Sequence, residues 1–254
     1  MKELVTRRKL ITSGLAAVAG FAALKTAARI ADSYGLLPPD RQGLFGVGET
    51  LTYASQRILM SRQSLAREFS SSDISKVAPI NGKPPESDEY YRLAANQFSD
   101  WRLLVDGLVA RPRSFSLAEL KSFPARQQIT HQACEEGWSF IAQWIGVPLA
   151  DVLNLVGVSE QAKWVVYYSV EDDWWDSIDL PDAMHPQTFL AYGFNGHDLT
   201  IERGAPVRMR VARQLGQKSV KYLTRISLVD SLKHVRDGLG SGSPSVGFSW
   251  YVGI

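Results

Sequence analysis

Apolar and polar positions change rhythm several times along this chain. Residues 11–24 form an uncharged run rich in Ala and Gly. From Thr50 to Phe69, apolar residues recur at roughly helical spacing (Leu51, Ile58, Leu59, Leu65, Phe69), which predicts a helix ended by Ser70-Ser71-Ser72. Trp101–Val109 alternates like a strand, with Asp106-Gly107 as a turn or bulge. Ser116-Leu-Ala-Glu119 spells a capping box and starts a short helix, halted before Pro124. Gln127–Ala133 reads as a strand ending at Cys134. Pro148–Val156 is a helix with Pro in its first turn and Gly157 at its end. Trp164–Val170 is a buried strand, and Thr188–Phe194, Asn195-Gly196 and His197–Ile201 spell a hairpin. Val207–Ala212 and Ser219–Val229 alternate apolar with basic residues, as strands with one face wet or turned to a ligand. Short helices among many strands predict an α+β fold with mixed sheets.

The start of the chain reads differently. Thr6-Arg7-Arg8-Lys9 gives a twin-arginine pair ahead of the apolar run, and Lys25 and Arg29 follow it. Residues 1–30 therefore read as a twin-arginine export signal, which places the protein in the periplasm. The run falls short of the ~20 residues a membrane helix needs. No clean Ala-x-Ala cleavage site is evident, so retention of the signal stays open. Residues 31–89 read as an N-terminal extension packed on the main domain or reaching a partner. Residues 90–235 are the single main domain, and 236–254 a tail packed on it through Phe248, Trp250 and Tyr251.

A net charge of +2 gives no reason to expect a nucleic-acid partner. The distribution is more telling. Glu171, Asp172, Asp173, Asp176, Asp179 and Asp182 form an acidic block without a base. Arg203, Arg208, Arg210, Arg213, Lys218, Lys221 and Arg225 form a basic block without an acid. This segregation suggests an anionic ligand held by the second block.

Cys134 is the chain's only cysteine. In an exported protein it has no internal disulfide partner, so it is either buried and inert or held as a thiolate. His131 lies close by, but His185, His197 and His234 are scattered, which argues against a zinc cage. A Cys–His dyad with His185 or His197 stays open. So does a soft metal taking one protein sulfur, the rest of its ligands coming from an anionic cofactor.

Several segments in order carry a resemblance. They are Asp106-Gly-Leu-Val-Ala-Arg-Pro112, Ser116-Leu-Ala-Glu-Leu120, Cys134-Glu-Glu-Gly-Trp138 and Trp144-Ile-Gly-Val-Pro-Leu149. Phe189-Leu-Ala-Tyr-Gly-Phe-Asn-Gly196, Gly204-Ala-Pro-Val-Arg208, Lys218-Ser-Val-Lys-Tyr222 and Arg225-Ile-Ser-Leu-Val-Asp230 continue it. From about Tyr90 to Asp230 the chain resembles the sulfite-oxidase-type molybdopterin-dependent oxidoreductases. It is most similar to their exported bacterial branch, which includes periplasmic methionine-sulfoxide reductase catalytic subunits. The resemblance implies a sulfite-oxidase-like fold and Mo-molybdopterin as cofactor, with Cys134 as the molybdenum ligand. It implies Arg208 on the phosphate side of the pterin, with Ser219, Val220 and Lys221 wrapping the phosphate. Asn96 and Ser169 match further pterin contacts. Arg203 stands where the family usually has His or Asn, which alters one such contact.

Two departures bear on substrate. Glu135 and Glu136 follow the cysteine where sulfite oxidases carry an arginine-bearing stretch, and carboxylates beside the metal would repel sulfite. Trp174-Trp175 replaces the family's active-site tyrosine region and would give an aromatic mouth. The expectation is an exported oxidoreductase that transfers an oxygen atom or two electrons. It would reduce an S-oxide or N-oxide, either a small molecule or an oxidised side chain, with Cys134, Trp174 and Glu135 as catalytic residues. Glu135 or Glu136 would relay protons. No haem motif is present, so electrons would come from a partner, which the family implies is a membrane cytochrome. Sulfite dehydrogenation, or a non-catalytic molybdopterin-binding scaffold, are the alternatives.

Overall fold

The structure, a computed structural model, describes residues 25–27, 29–31, 36–37, 46–59, 64–171 and 174–254. The expected export signal lies almost wholly outside these residues, as do Asp172 and Asp173 of the acidic block. No helix among the described residues is long and apolar enough to cross a membrane.

Two five-stranded sheets form the body. The first has the order β2 (Arg113–Ser116), β1 (Arg102–Gly107), β10 (Leu223–Val229), β5 (Trp164–Ser169), β6 (Trp175–Asp179). Its β1 and β10 run parallel, and the other pairs are antiparallel. The second runs β3 (Arg126–Ala133), β4 (Ser139–Pro148), β7 (Thr188–Phe194), β8 (His197–Asp198), with β9 (Arg208–Val211) also paired to β7. Helices are short: α1 (Gly46–Leu59), α2 (Asp88–Ala95), α3 (Leu117–Ser122), α4 (Leu149–Val156) and α5 (Leu180–Ala183). Mixed sheets with a few short helices make this an α+β fold, as the sequence predicts.

The core draws Leu103, Val105, Ile226 and Leu228 from the first sheet and Val147, Leu190, Met209 and Val211 from the second. Between them α4 buries Leu149, Val152, Leu153 and Val156, each worth roughly 1.5–3 kcal/mol of transfer free energy. Local signals in the sequence hold where bonding is local. Ser116 Oγ accepts from the Glu119 amide at 3.1 Å while Glu119 Oε2 accepts from the Ser116 amide at 2.8 Å. The β7–β8 turn places Asn195 at φ +48° and Gly196 at φ +83°, the left-handed region that a tight hairpin requires.

The expected helix over Thr50–Phe69 is corrected. Helix α1 ends at Leu59, and residues 64–70 are extended. The edge of β3 offers unpaired backbone groups, and the chain takes them: Phe69 N–H donates to Ile129 O at 2.9 Å, and Glu68 bridges Thr130. The apolar residues read as a packing face point outward: Leu51, Ile58, Leu59 and Leu65 are 64, 66, 80 and 63% exposed. Tyr53 and Arg57 face the domain instead. Tyr53 packs edge-on against Trp250 and Tyr251, and Arg57 reaches Asp179 and Asp182. Strands β4 and β6 and helix α2 lie where the reading above assigned no element.

The expectation of a solvent-exposed side on the Val207–Ala212 strand is also corrected. All of β9 is buried on both faces, with Arg208 5% and Arg210 0% exposed. Ser219–Tyr222 is not strand either. It follows a 3-10 turn at Gly216–Lys218, and Tyr222 sits at φ +55° before β10 begins.

Candidate functional site

At the end of β3 the chain turns through Cys134–Trp138. The Cys134 amide donates to Trp138 O (2.9 Å), the Gly137 amide to Cys134 O (3.1 Å), and Gly137 takes φ +90°. These bonds fix the cysteine, which is 7% exposed. Its Sγ lies 3.5 Å from Glu135 Oε2, and Glu136 accepts from the Trp138 indole at 2.7 Å. Burial pushes the thiol up to about 11, and the two carboxylates add to this. Trp138 stacks on Phe140, which meets Phe194 edge-on.

The Gly216–Lys218 turn crosses the end of β3. A methyl group on Gly216 would sit 3.3 Å from Ala133 O and 3.3 Å from Gln132 Nε2, so this turn and the Cys134 strand are in contact. From the turn, Ser219 O accepts from Arg208 Nη2 at 2.7 Å, while Arg208 Nη1 donates to Arg203 O at 3.0 Å. Val220 O accepts from the Met209 amide at 2.8 Å. Arg208 lies over the Trp144 ring, and its Nε makes no hydrogen bond. No ion pair involving Arg208 is present among the described residues. Burial, then the Arg203 charge, lower its pKa to about 10.

The charge segregation divides in two. Lys218 Nζ, wholly buried, donates to Asp176 Oδ1 at 2.6 Å, and Arg213 lies 3.8 Å from Asp182. These two bases serve the acidic block rather than a ligand, which corrects the reading of the whole basic block as a ligand site. Arg208 and Arg210 have no such partner. Arg210 donates to Thr130 Oγ1 and His131 O and faces Trp144 from 5.3 Å, and burial lowers its pKa to about 9. Two dry guanidiniums without carboxylates create the positive potential that a buried anion needs.

The other expected residues gather on the same wall. Lys221 Nζ donates to Asn81 O (2.7 Å) and Glu202 O (2.8 Å), and burial, then Arg208, lower its pKa to about 8. Arg203 lies 4.0 Å over the Phe194 ring and donates to Ala78 O. Gly204 takes φ +98°, and a Cβ there would lie 2.8 Å from Lys221 Cβ, so only glycine lets these segments approach. Asn96 ends α2, where Gln97 and Phe98 both take positive φ; its Nδ2 donates to Asp100 and its Oδ1 has no partner. Phe98 and Tyr222 both pack on Tyr90, which ties Asn96 to the Lys221 segment. Ser169 ends β5, with its amide bonded to Trp174 O and Val170 N–H bonded to Tyr222 O. Trp174 is 48% exposed, and no hydrogen bond or ring contact joins it to Cys134. Trp175 instead packs beside Tyr168.

Arg210 was read only as one base of the block, and three residues here were given no role by the sequence: Tyr222, Gln132 and Gln217. Tyr222 Oη, Gln132 Oε1 and both amide atoms of Gln217 are buried without a partner, as are Trp144 Nε1 and Arg208 Nε. Buried polar groups are nearly always paired, so these atoms are available to a polar ligand. No sequence pattern reveals an unsatisfied amide.

Comparison with known proteins supplies the identity of that ligand. Residues 91–235 match a family described as the oxidoreductase molybdopterin binding domain. The putative protein-methionine-sulfoxide reductase subunit YedZ1 of Azospira oryzae is 34% identical over 195 residues, 77% of this chain and 70% of that protein. The protein-methionine-sulfoxide reductase catalytic subunit MsrP of Ralstonia nicotianae is 34% identical over 145 residues, 51% of this chain and 44% of the relative. The crystal structure of the sulfane dehydrogenase SoxCD from Paracoccus pantotrophus aligns with a TM-score of 0.50 and 25% identity, over 53% of this chain and 40% of that one. The cofactor is Mo-molybdopterin, and the site fits it: a phosphate suits the unpaired Arg208, and a polar ring system suits the orphaned atoms around it. The protein is an oxidoreductase, and the chain belongs to the oxidoreductase molybdopterin binding domain family.

Proposed function

We propose that this is an exported, periplasmic enzyme that reduces an S-oxide, with oxidised methionine as the leading substrate class. The observation that carries the substrate choice is the carboxylate at the cysteine. Glu135 Oε2 lies 3.5 Å from Cys134 Sγ, and Glu136 stands on the same turn. Negative charge there disfavours an anion such as sulfite and tolerates a neutral oxide. Two relatives named as methionine-sulfoxide reductase subunits support the same choice.

In this reading Cys134 ligates molybdenum through its single sulfur, on a turn whose backbone bonds hold that sulfur in place. Arg208, Ser219, Val220 and Lys221 hold the phosphate, and Asn96, Ser169 and Arg203 line the rest of the cofactor. When bound, the cofactor supplies oxygen-atom transfer coupled to two electrons. Glu135 Oε2 relays protons from solvent toward the departing oxygen, and Trp138 keeps Glu136 aligned through its indole N–H. Trp174, on the surface after β5, contributes an aromatic face for substrate. Electrons come from a membrane cytochrome partner.

The test is turnover of the matured protein with a reduced dye. Methionine sulfoxide should reoxidise the dye, and sulfite should not reduce it. If no S-oxide or N-oxide consumes electrons, or if sulfite drives dye reduction at a comparable rate, the reading falls.

A further inference from the structure

Strand β3 turns a polar face inward. Gln128, Thr130 and Gln132 are 2, 0 and 5% exposed, alternating with Gln127, Ile129 and His131, and Cys134 continues the same series. Two of these side chains bond to other parts of the protein, although Gln128 Oε1 is itself left without a partner. Gln128 Nε2 donates to Gln187 O at 3.1 Å, and Thr130 Oγ1 accepts from Arg210 at 3.1 Å. Gln132, nearest the cysteine, keeps its Oε1 buried without a partner. The turn that crosses it carries a second carboxamide. Gln217 is 6% exposed, and neither its Oε1 nor its Nε2 has a partner. The two positions meet at Gly216, whose α-carbon faces Gln132 Nε2.

An unsatisfied buried amide destabilises a fold, and a leucine or methionine of similar volume would be better there if nothing else were bound. Two such amides on adjoining segments, one on the strand that leads to the cysteine and one two residues before Ser219, are what a polar ligand would require. A carboxamide sets an acceptor and a donor side by side, and a pterin carries the same two kinds of group around its rings. We infer that Gln132 and Gln217 are cofactor-binding residues of this chain, giving hydrogen bonds to the polar atoms of bound molybdopterin. The inference rests on the cofactor site assigned above and extends it to two residues that the motif comparison left out.

The experiment uses the full chain with Gln132→Met, Gln217→Met and the double change, plus the shape-preserving Gln132→Glu and Gln217→Glu. Arg208→Ala serves as the reference for the site itself. Three quantities are read: molybdenum per chain, pterin released and oxidised to its fluorescent form, and the melting temperature of cofactor-free protein. Each Met change should lower cofactor retention about tenfold, the effect of one lost hydrogen bond of ordinary strength. The cofactor-free melting temperature should hold or rise, because an unpaired buried group has been removed. The Glu variants should also fold and lose cofactor. Full cofactor content in the Met variants overturns the inference, and so does a fall in the cofactor-free melting temperature, which would make the amides structural. If Arg208→Ala loses cofactor while the glutamine variants keep it, only this inference fails. If Arg208→Ala also keeps it, the phosphate-site reading fails with it.

Discussion

Breaking the bond between the N-terminal arm and the domain gives the sharpest test of the packing. Arg57 from α1 donates to Asp179 and Asp182, and Tyr53 of the same helix donates to Asp179. The three charged side chains are nearly dry, at 8, 7 and 2% exposure. Arg57→Met keeps the apolar stem and removes the charge. Losing one partner of a buried ion pair costs about 3–5 kcal/mol. Asp182 keeps Gln214 at 2.6 Å and Arg213 at 3.8 Å, so the lower half of that range is expected. The guanidinium also faces the Tyr251 ring from 4.3 Å, worth about 0.5–1 kcal/mol more. At roughly 2–4 °C per kcal/mol, the melting temperature should fall by about 7–20 °C. The sign with pH follows from Asp179, whose pKa burial and the Asp182 charge already raise. Without Arg57 it rises further, so the folded state holds a proton that the unfolded chain releases near pH ~3.9. The penalty is full above the folded pKa and shrinks as pH falls toward the unfolded one. Calorimetry of cofactor-free protein at pH 7.5 and pH 5 should therefore show the gap to the wild type narrowing at the lower pH. A loss under about 1 kcal/mol, the value of an exposed pair, would refute a dry clasp, and so would a gap that widens on acidification.

Three further outcomes are expected. Cys134→Ser should retain pterin but change the molybdenum redox signal and abolish turnover, and unchanged turnover would remove the thiol from the metal. Gly204→Ala places a Cβ 2.8 Å from Lys221 Cβ at φ +98°. It should cost about 1–3 kcal/mol and lower molybdenum content, read by melting and metal analysis. Lys221→Met should stabilise the cofactor-free protein near neutral pH but not in strong alkali. The folded pKa of about 8 lies below the ordinary lysine value of 10.5, so the charge-burial cost is complete below pH 8 and vanishes as pH rises through that window. Melting curves of both proteins from pH 7 to pH 10.5 check this.

What could be read from the chain was decided by the range of each bond. The Ser116–Glu119 capping box, the Asn195-Gly196 turn and the Gly157 cap close over three or four residues, so their spelling is their structure. Residues 64–70 had no such local answer. Their partner is the edge of β3, more than fifty residues away in sequence, and helical spacing of Leu65 and Phe69 carried no trace of it. The basic block was legible as charge, but not as two classes of charge. Lys218 and Arg213 fold back on Asp176 and Asp182, whereas Arg208 and Arg210 sit over Trp144 without a carboxylate. Side-chain identity is the same in both classes, and only the three-dimensional pairing separates them. The family motif points to Cys134 and Arg208, yet it gives no role to Gln132, Gln217 or Tyr222, whose signature is a buried polar atom without a partner.

The clasp and the cofactor wall are connected through one carboxylate. Asp182 accepts from Arg57 of the arm and from Gln214 at 2.6 Å, and its backbone oxygen accepts from Thr188 Oγ1 at the start of β7. Gln214 opens the loop that runs through Gly216 and Gln217 to Ser219, and its backbone also bridges Gly253 of the tail. The arm and the tail therefore both bear on the 214–219 loop. A rigid loop matters here because Arg208 is held by two backbone carbonyls, one of them Ser219 O. Were the loop to loosen, the guanidinium would lose its orientation as well as its neighbour, and a buried cation without aim binds an anion poorly. On the proposed phosphate role of Arg208, the arm and tail, which lie outside the matched residues 91–235, would act on that site by fixing this loop.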